Sequence, residues 1–131
     1  MKQFTLPLSV AESTEISAQF LRDSGFTIFC DIDHQHNASQ VGLEMPAARS
    51  LIFGKPEAGT KLMQQDIRIS FDLPLRLAIA EREGGCVLMY PAAEDFASRY
   101  DVAANHPVLQ AVGALFDRLQ SKLLPPEEAK Q

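Results

Sequence analysis

The chain has 131 residues, of which 46% are hydrophobic and 22% charged, the size and composition of one globular domain. Its formal net charge of −5 disfavours duplex nucleic acid as a partner, because such binders usually carry a basic surface. No apolar run approaches the ~18 residues of a membrane span, and residues 1–10 lack the apolar core of a signal peptide. We therefore expect a cytoplasmic domain over residues 1–124, a polar tail over 125–131, and neither nucleic-acid nor membrane partners.

The first two elements have clear local signals. Apolar residues alternate over residues 2–8, which predicts a strand. Ser9 and Glu12 have the spacing of a capping box, so a helix is expected to begin there. Gly25 can adopt the left-handed conformation that ends a helix.

A second strand is predicted over residues 26–33. Its alternation assigns one face to four apolar residues, Phe26, Ile28, Cys30 and Ile32. Cys30 and Cys86 both fall within apolar strand patterns, so both are predicted to be buried free thiols. Residues 33–37 are polar and predict a loop, and 38–45 a short helix that Pro46 ends.

The remaining elements complete the predicted sheet. Strands are expected at residues 49–53, 73–80 and 86–90, and helices at 57–65, 94–100 and, from its apolar stripe, 108–123. Pro74 suggests either an edge strand or the start of a strand. The order predicts an α+β fold, with a mainly antiparallel sheet of about five strands and helices packed on one face.

Several short phrases occur together in a characteristic order. They are residues 29–34, Leu51 to Pro56, Ala58 to Met63, Asp72 to Leu75, and Tyr90 at the end of the hairpin. In this combination the chain resembles the domain of unknown function 302 family of small bacterial and archaeal proteins, over about residues 4–100. The resemblance implies an architecture similar to that of the TATA-binding protein, a homodimer, and no established activity or cofactor.

One candidate site is the polar cluster after the second strand. Asp31, Asp33, His34 and His36 are residue types that bind divalent metals. His34 could alternatively act as a general base oriented by Asp33. The structural alternative is a strand end whose side chains cap neighbouring backbone groups.

A second candidate is the turn after the third strand. Gly54, Lys55, Gly59 and Thr60 surround a predicted helix start, where free amides and a lysine favour an anion. The structural alternative is a glycine turn leading into a helix. Asp72 is also predicted to belong to this ligand site. Its carboxylate could instead cap a backbone turn, or it could contact His34 or Lys55.

We expect from the sequence a non-enzymatic homodimer that binds a small ligand, an anion among the candidates, or a protein partner. No cofactor is expected. One alternative is a metal- or acid/base-dependent enzyme centred on Asp33 and His34. A second is a protein-interaction module that uses a sheet edge.

Overall fold

The computed structural model describes residues 1–124, so the predicted tail at 125–131 lies outside the described residues. The elements follow in chain order: β1 Lys2–Leu6, α1 Val10–Asp23, β2 Thr27–Asp33, α2 His34–Gln40, β3 Ala48–Gly54, α3 Pro56–Gln65, a 3-10 helix Ile67–Asp72, β4 Leu75–Arg82, β5 Gly85–Tyr90, α4 Ala93–Arg99 and α5 Pro107–Leu123.

The five strands form one antiparallel sheet in the order β1-β5-β4-β3-β2, which confirms the predicted α+β fold. β1 and β2 are the edge strands. β4 lies at the centre, so Pro74 belongs to the start of a strand and not to an edge. It precedes Leu75, where its missing N–H does not interrupt the ladder.

The core lies between one face of the sheet and the helices. On this face the strands contribute fully buried residues, among them Leu51, Phe53, Leu77, Ile79 and Leu88. Phe116 of α5 stacks on Tyr90 with ring centroids 4.4 Å apart and meets Phe53 edge-on at 6.1 Å. These contacts dock α5 on the sheet, and α1 packs beside it.

Helix α1 begins and ends as its sequence predicts. The Ser9 hydroxyl accepts a hydrogen bond from the Glu12 N–H at 3.1 Å and donates one to the Glu12 carboxylate at 3.1 Å. Gly25 follows the helix with φ +87°, a backbone conformation that residues other than glycine rarely adopt.

The prediction of a loop at 33–37 is wrong, and the helix predicted at 38–45 is confirmed only for residues 38–40. The helix spans His34–Gln40 instead, and residues 41–47 are not helical. Asp33 causes the shift because its carboxylate accepts from the His36 N–H at 2.9 Å and caps the helix one turn earlier than expected.

The predicted face of β2 is also wrong in part, because the strand contains a β-bulge. Ile28 pairs with Phe53 and Cys30 with Ile52, so Phe29 is an extra residue that reverses the alternation. Ile28 therefore points to the helices, whereas Cys30 lies on the opposite side and is exposed. Of the two predicted buried thiols, only Cys86 is buried.

The second face of the sheet has little helical cover. By register, the residues that alternate with the core residues of the three inner strands share this face. We call it the open face, and its members are Ala48, Ser50, Ile52, Ala78, Ala80, Val87 and Met89, with Arg76 and Arg82 of β4 on the same face by register. The first seven are half-buried and mostly small or apolar, whereas the two arginines are exposed.

Candidate functional site

A cavity of about 370 Å³ lies beside the turn that joins β3 to α3. Four of the residues predicted to bind a ligand line it: Gly54, Lys55, Gly59 and Thr60. The volume falls within the range of small-molecule sites in proteins. The structure therefore brings most of this predicted site together around a concave surface.

The cavity walls are mainly apolar, a property that the sequence alone did not predict. Six parts of the fold contribute: the start of β2, the end of β3, helix α3, the 3-10 helix, the residues leading into β4, and α5. The apolar side chains of the lining are Phe26, Phe29, Pro56, Ala58, Leu62, Met63, Leu73, Pro74, Leu75, Val108 and Val112.

The turn itself brings backbone close to the cavity. A Cβ at Gly54 would lie 3.3 Å from Phe29 Cε2, so glycine allows the ring to approach the chain here. Pro56 occupies the first position of α3 and lacks an N–H, and no side chain caps the helix. The next amides have no acceptor within the helix, as at any helix start.

Lys55 is the single charged residue in the lining. Its Nζ lies 4.5 Å from the centroid of the Phe26 ring, within the range of a cation–π contact. Among residues 1–124 no carboxylate forms a salt bridge with it. The ammonium group therefore contacts an aromatic ring that also lines the cavity.

Asp72 lies elsewhere and contacts neither Lys55 nor His34, its two suggested partners. Its carboxylate accepts from Tyr100 Oη at 2.5 Å and from Arg99 Nη1 at 3.1 Å. The hydrogen bond to Asp72 raises the pKa of Tyr100. Asp72 lines a second cavity of about 270 Å³, together with residues of β4, β5 and α4.

Asp66 is a structural residue that the sequence reasoning missed. Its side chain is 8% exposed and accepts from the Arg68 guanidinium at 2.7 Å, from the Arg68 N–H at 3.0 Å and from the Asp101 N–H at 2.9 Å. The Arg68 side chain, followed by the Asp101 amide, holds the pKa of Asp66 well below its usual range. The Asp66-to-Arg68 spacing of an Asx turn was the available signal. Asp66 thereby fixes the 3-10 helix that forms one cavity wall.

The predicted metal and acid/base cluster lies at the opposite end of the β2–β3 pair. Thr27 pairs with Gly54, whereas Asp33 pairs with Arg49. Five residues of β3 separate these positions, which corresponds to roughly 17 Å. Asp33 and His34 therefore share no cavity with Lys55.

The members of this cluster have structural partners of their own. Asp31 accepts a bidentate interaction from Arg49 at 2.7 Å, and Asp33 caps α2. His36 Nε2 lies 3.5 Å from Gln40 Nε2. Within the described part of the chain, no three His, Cys, Asp or Glu residues group closely enough to hold a metal ion.

His34 has a partner that the sequence did not indicate. Its Nε2 lies 2.8 Å from Ser50 Oγ, the separation of a general base and a nucleophile. No acidic side chain among residues 1–124 hydrogen-bonds to its other ring nitrogen. The pair therefore lacks the orienting group of a catalytic triad.

A solved structure supports the fold. The chain is similar to an uncharacterized conserved protein DUF302 from Bacillus stearothermophilus, with a TM-score of 0.70 and 17% identity over 93% of this chain and 94% of that one. At this identity the similarity concerns the fold alone.

Curated relatives match only in part. The chain is 41% identical over 76 residues to the fluoride-specific ion channel FluC 1 of Brucella suis biovar 1, and equally to FluC 2 of Brucella melitensis biotype 1. Each match spans 58% of this chain but only 30% and 28% of those proteins. Among residues 1–124, no helix is long and apolar enough to cross a membrane.

The family comparison covers nearly all of the described chain. Residues 2–123, from β1 to the end of α5, match the family described as "Domain of unknown function DUF302". The five-stranded sheet and the fold similarity agree with this match. The chain therefore belongs to the DUF302 family.

Proposed function

We propose that this chain is a non-enzymatic binding domain for a small organic molecule, and that its site is the cavity at the Gly54–Thr60 turn. One observation carries the proposal: a cavity of about 370 Å³ with apolar walls contains a single charged group, Lys55. Concave, mainly apolar sites with few polar groups are the usual form of small-molecule sites.

The experiment tests whether a larger side chain in the cavity wall, introduced at Gly59, prevents ligand binding. Gly59 lines the cavity, and a Cβ there would lie 3.9 Å from Leu73 Cδ1 and Met63 Cε, so a larger side chain extends into this space. A mixture of small organic molecules is screened against the wild type by ligand-observed NMR. Molecules that bind are then tested against Gly59→Leu.

Gly113→Leu is the matched control, because Gly113 is exposed on α5 and does not line this cavity. We expect Gly59→Leu to lose the bound molecules and Gly113→Leu to keep them. Equal binding by both variants would refute the proposed site. A folded wild type that binds none of the molecules would refute the proposed function.

We propose further that the domain acts as a homodimer through the open face. The support is that the centre of this face consists mostly of half-buried small or apolar residues, with Arg76 and Arg82 exposed beside them, while the main helices pack on the other face. Light scattering after size exclusion would compare the wild type with Ala78→Asp, on the open face, and with Ala111→Asp, on the exposed side of α5. Loss of the dimer is expected only in Ala78→Asp, and a monomeric wild type would overturn this part of the proposal.

A second candidate function follows from the partial similarity to fluoride channels. We propose that the domain can act as an accessory to a membrane anion channel, since the matched 76 residues are a minor part of those proteins. The test deletes the matching segment from the Brucella suis channel and measures fluoride efflux from liposomes. If the deletion lowers fluoride efflux and adding this chain restores it, the accessory role is supported. If neither the deletion nor the addition changes fluoride efflux, the accessory role is refuted.

The enzyme alternative stays a prediction, as does the cytoplasmic location. The His34–Ser50 contact makes the enzyme alternative testable, because an activated serine reacts with fluorophosphonates. Labelling of Ser50 that His34→Ala abolishes would support catalysis. An unlabelled wild type would count against it.

A further inference from the structure

The polar content of the cavity indicates a more specific ligand class than the proposed function requires. Three lining side chains are polar: Lys55, Thr60 and Ser70. Of these, only Lys55 carries a charge, and it is half-buried whereas the other two are exposed. The chemistry available at the cavity is thus one cation beside a large apolar surface.

The cation has no counter-charge among the described residues. Lys55 Nζ rests 4.5 Å from the Phe26 ring centroid and forms no salt bridge within residues 1–124. A cation–π contact is weaker than a charge-assisted hydrogen bond to a carboxylate. A ligand with one acidic group would therefore supply the counter-charge that residues 1–124 do not give Lys55.

The apolar walls determine the rest of the ligand. Leu62, Met63 and Leu73 lie on the side of α3 and the 3-10 helix, and Val108 and Val112 come from α5. None of these side chains can pair with a second charge or with several hydroxyl groups. Besides Lys55, only the hydroxyls of Thr60 and Ser70 could replace the hydration that a highly charged or sugar-like molecule would lose in the cavity.

We infer that the cavity takes a free amphipathic monocarboxylate, an acyl or aryl acid with its carboxylate on Lys55 and its apolar body among these side chains. This inference rests on the proposed small-molecule function. The protein's overall charge of −5 repels anions at long range, so selectivity must come from the local contact with Lys55.

The experiment compares three probes of the same protein by isothermal titration: octanoate, 1-octanol and inorganic phosphate. We expect octanoate to bind the wild type on the order of tenfold more tightly than octanol, because it adds one charge-assisted hydrogen bond. Phosphate, which has no apolar body, should not bind detectably.

Variants then assign the effect to Lys55. Lys55→Met keeps the aliphatic stem and should reduce octanoate affinity to the level of octanol, while Lys55→Arg should retain the preference. Lys61→Met, on the same helix but outside the cavity lining, is the control and should behave as the wild type. Far-ultraviolet circular dichroism verifies that each variant is folded.

The outcomes separate the two proposals. Equal affinity for octanol and octanoate in the wild type would overturn the carboxylate inference and leave the binding function intact. An octanoate preference that survives in folded Lys55→Met would also overturn it. Failure of both octyl probes, together with a failed fragment screen, would refute the binding function itself.

Discussion

Gly59 lies inside the ten-residue helix α3 and also lines the cavity. Gly59→Ala therefore tests whether the helix gains stability from alanine while the cavity wall still accepts the added methyl group. Glycine in a helix interior costs about 0.5–1 kcal/mol relative to alanine, because its backbone loses more freedom on folding. The structure gives no backbone reason for glycine here, since its φ is not positive.

The added methyl group is accommodated by the surroundings. Its nearest neighbours would be Leu73 Cδ1 and Met63 Cε, both at 3.9 Å, which is ordinary van der Waals contact. The expected effect is therefore a stabilisation of about 0.5–1 kcal/mol. For a chain of this length that corresponds to a rise in Tm of about 2–5 °C.

Thermal and urea unfolding, followed by circular dichroism, measure the change. Gly113→Ala is the matched control, because Gly113 lies in helix α5 and a methyl group there would meet no neighbouring element of residues 1–124 within 4 Å. Both variants should gain stability with an unchanged urea m-value.

A loss of stability in Gly59→Ala, alongside a gain in Gly113→Ala, would refute this reasoning. It would mean that the wall around Gly59 is too tight for a methyl group. The cavity would then be smaller than the structure indicates, and the proposed binding site would lose its main support.

Three further predictions concern the core and its margins. Ser17→Ala should stabilise the protein by up to about 1 kcal/mol in urea unfolding, because Ser17 Oγ is buried without a hydrogen-bond partner among the described residues. A loss of stability would indicate that the hydroxyl has a partner after all. In a thiol titration of the native protein only Cys30 should react rapidly, since burial raises the pKa of the Cys86 thiol and keeps the reagent away from it. Rapid reaction of two thiols would contradict the described core. Asp66→Asn should destabilise the protein at pH 7, and the loss of stability should become progressively smaller below about pH 4. The pKa of Asp66 is lower in the folded state than the value of about 3.9 in the unfolded state, so its contribution to stability is complete above that value and declines as the pH falls below it. A difference in stability that does not depend on pH would argue against this role.

The sequence by itself determined the elements whose signals are local. Ser9 with Glu12 predicted the start of α1, and Gly54 with Pro56 predicted the turn between β3 and α3. Caps, glycine turns and apolar alternation depend on a few neighbouring residues, so they can be identified without knowing the fold. The five-stranded α+β arrangement followed from the order of these elements.

Some local features could not be predicted because two conformations suited the same residues. The polar stretch after Asp33 fitted a loop as well as a capped helix, and the Asp33 carboxylate decides in favour of the helix. The bulge at Phe29 has no clear signal in the sequence, because it is defined by pairing with β3. That pairing turns Cys30 outward.

Only the tertiary structure decided the character of the site. The sequence grouped Gly54, Lys55, Gly59 and Thr60 as an anion site, and these residues do line one cavity. Its apolar walls come from β2, the 3-10 helix and α5, which are distant in sequence and meet only when the helices pack on the sheet. The same packing directs Asp72 to Tyr100 and separates His34 from Lys55, because contacts between distant residues depend on chain topology and not on local pattern.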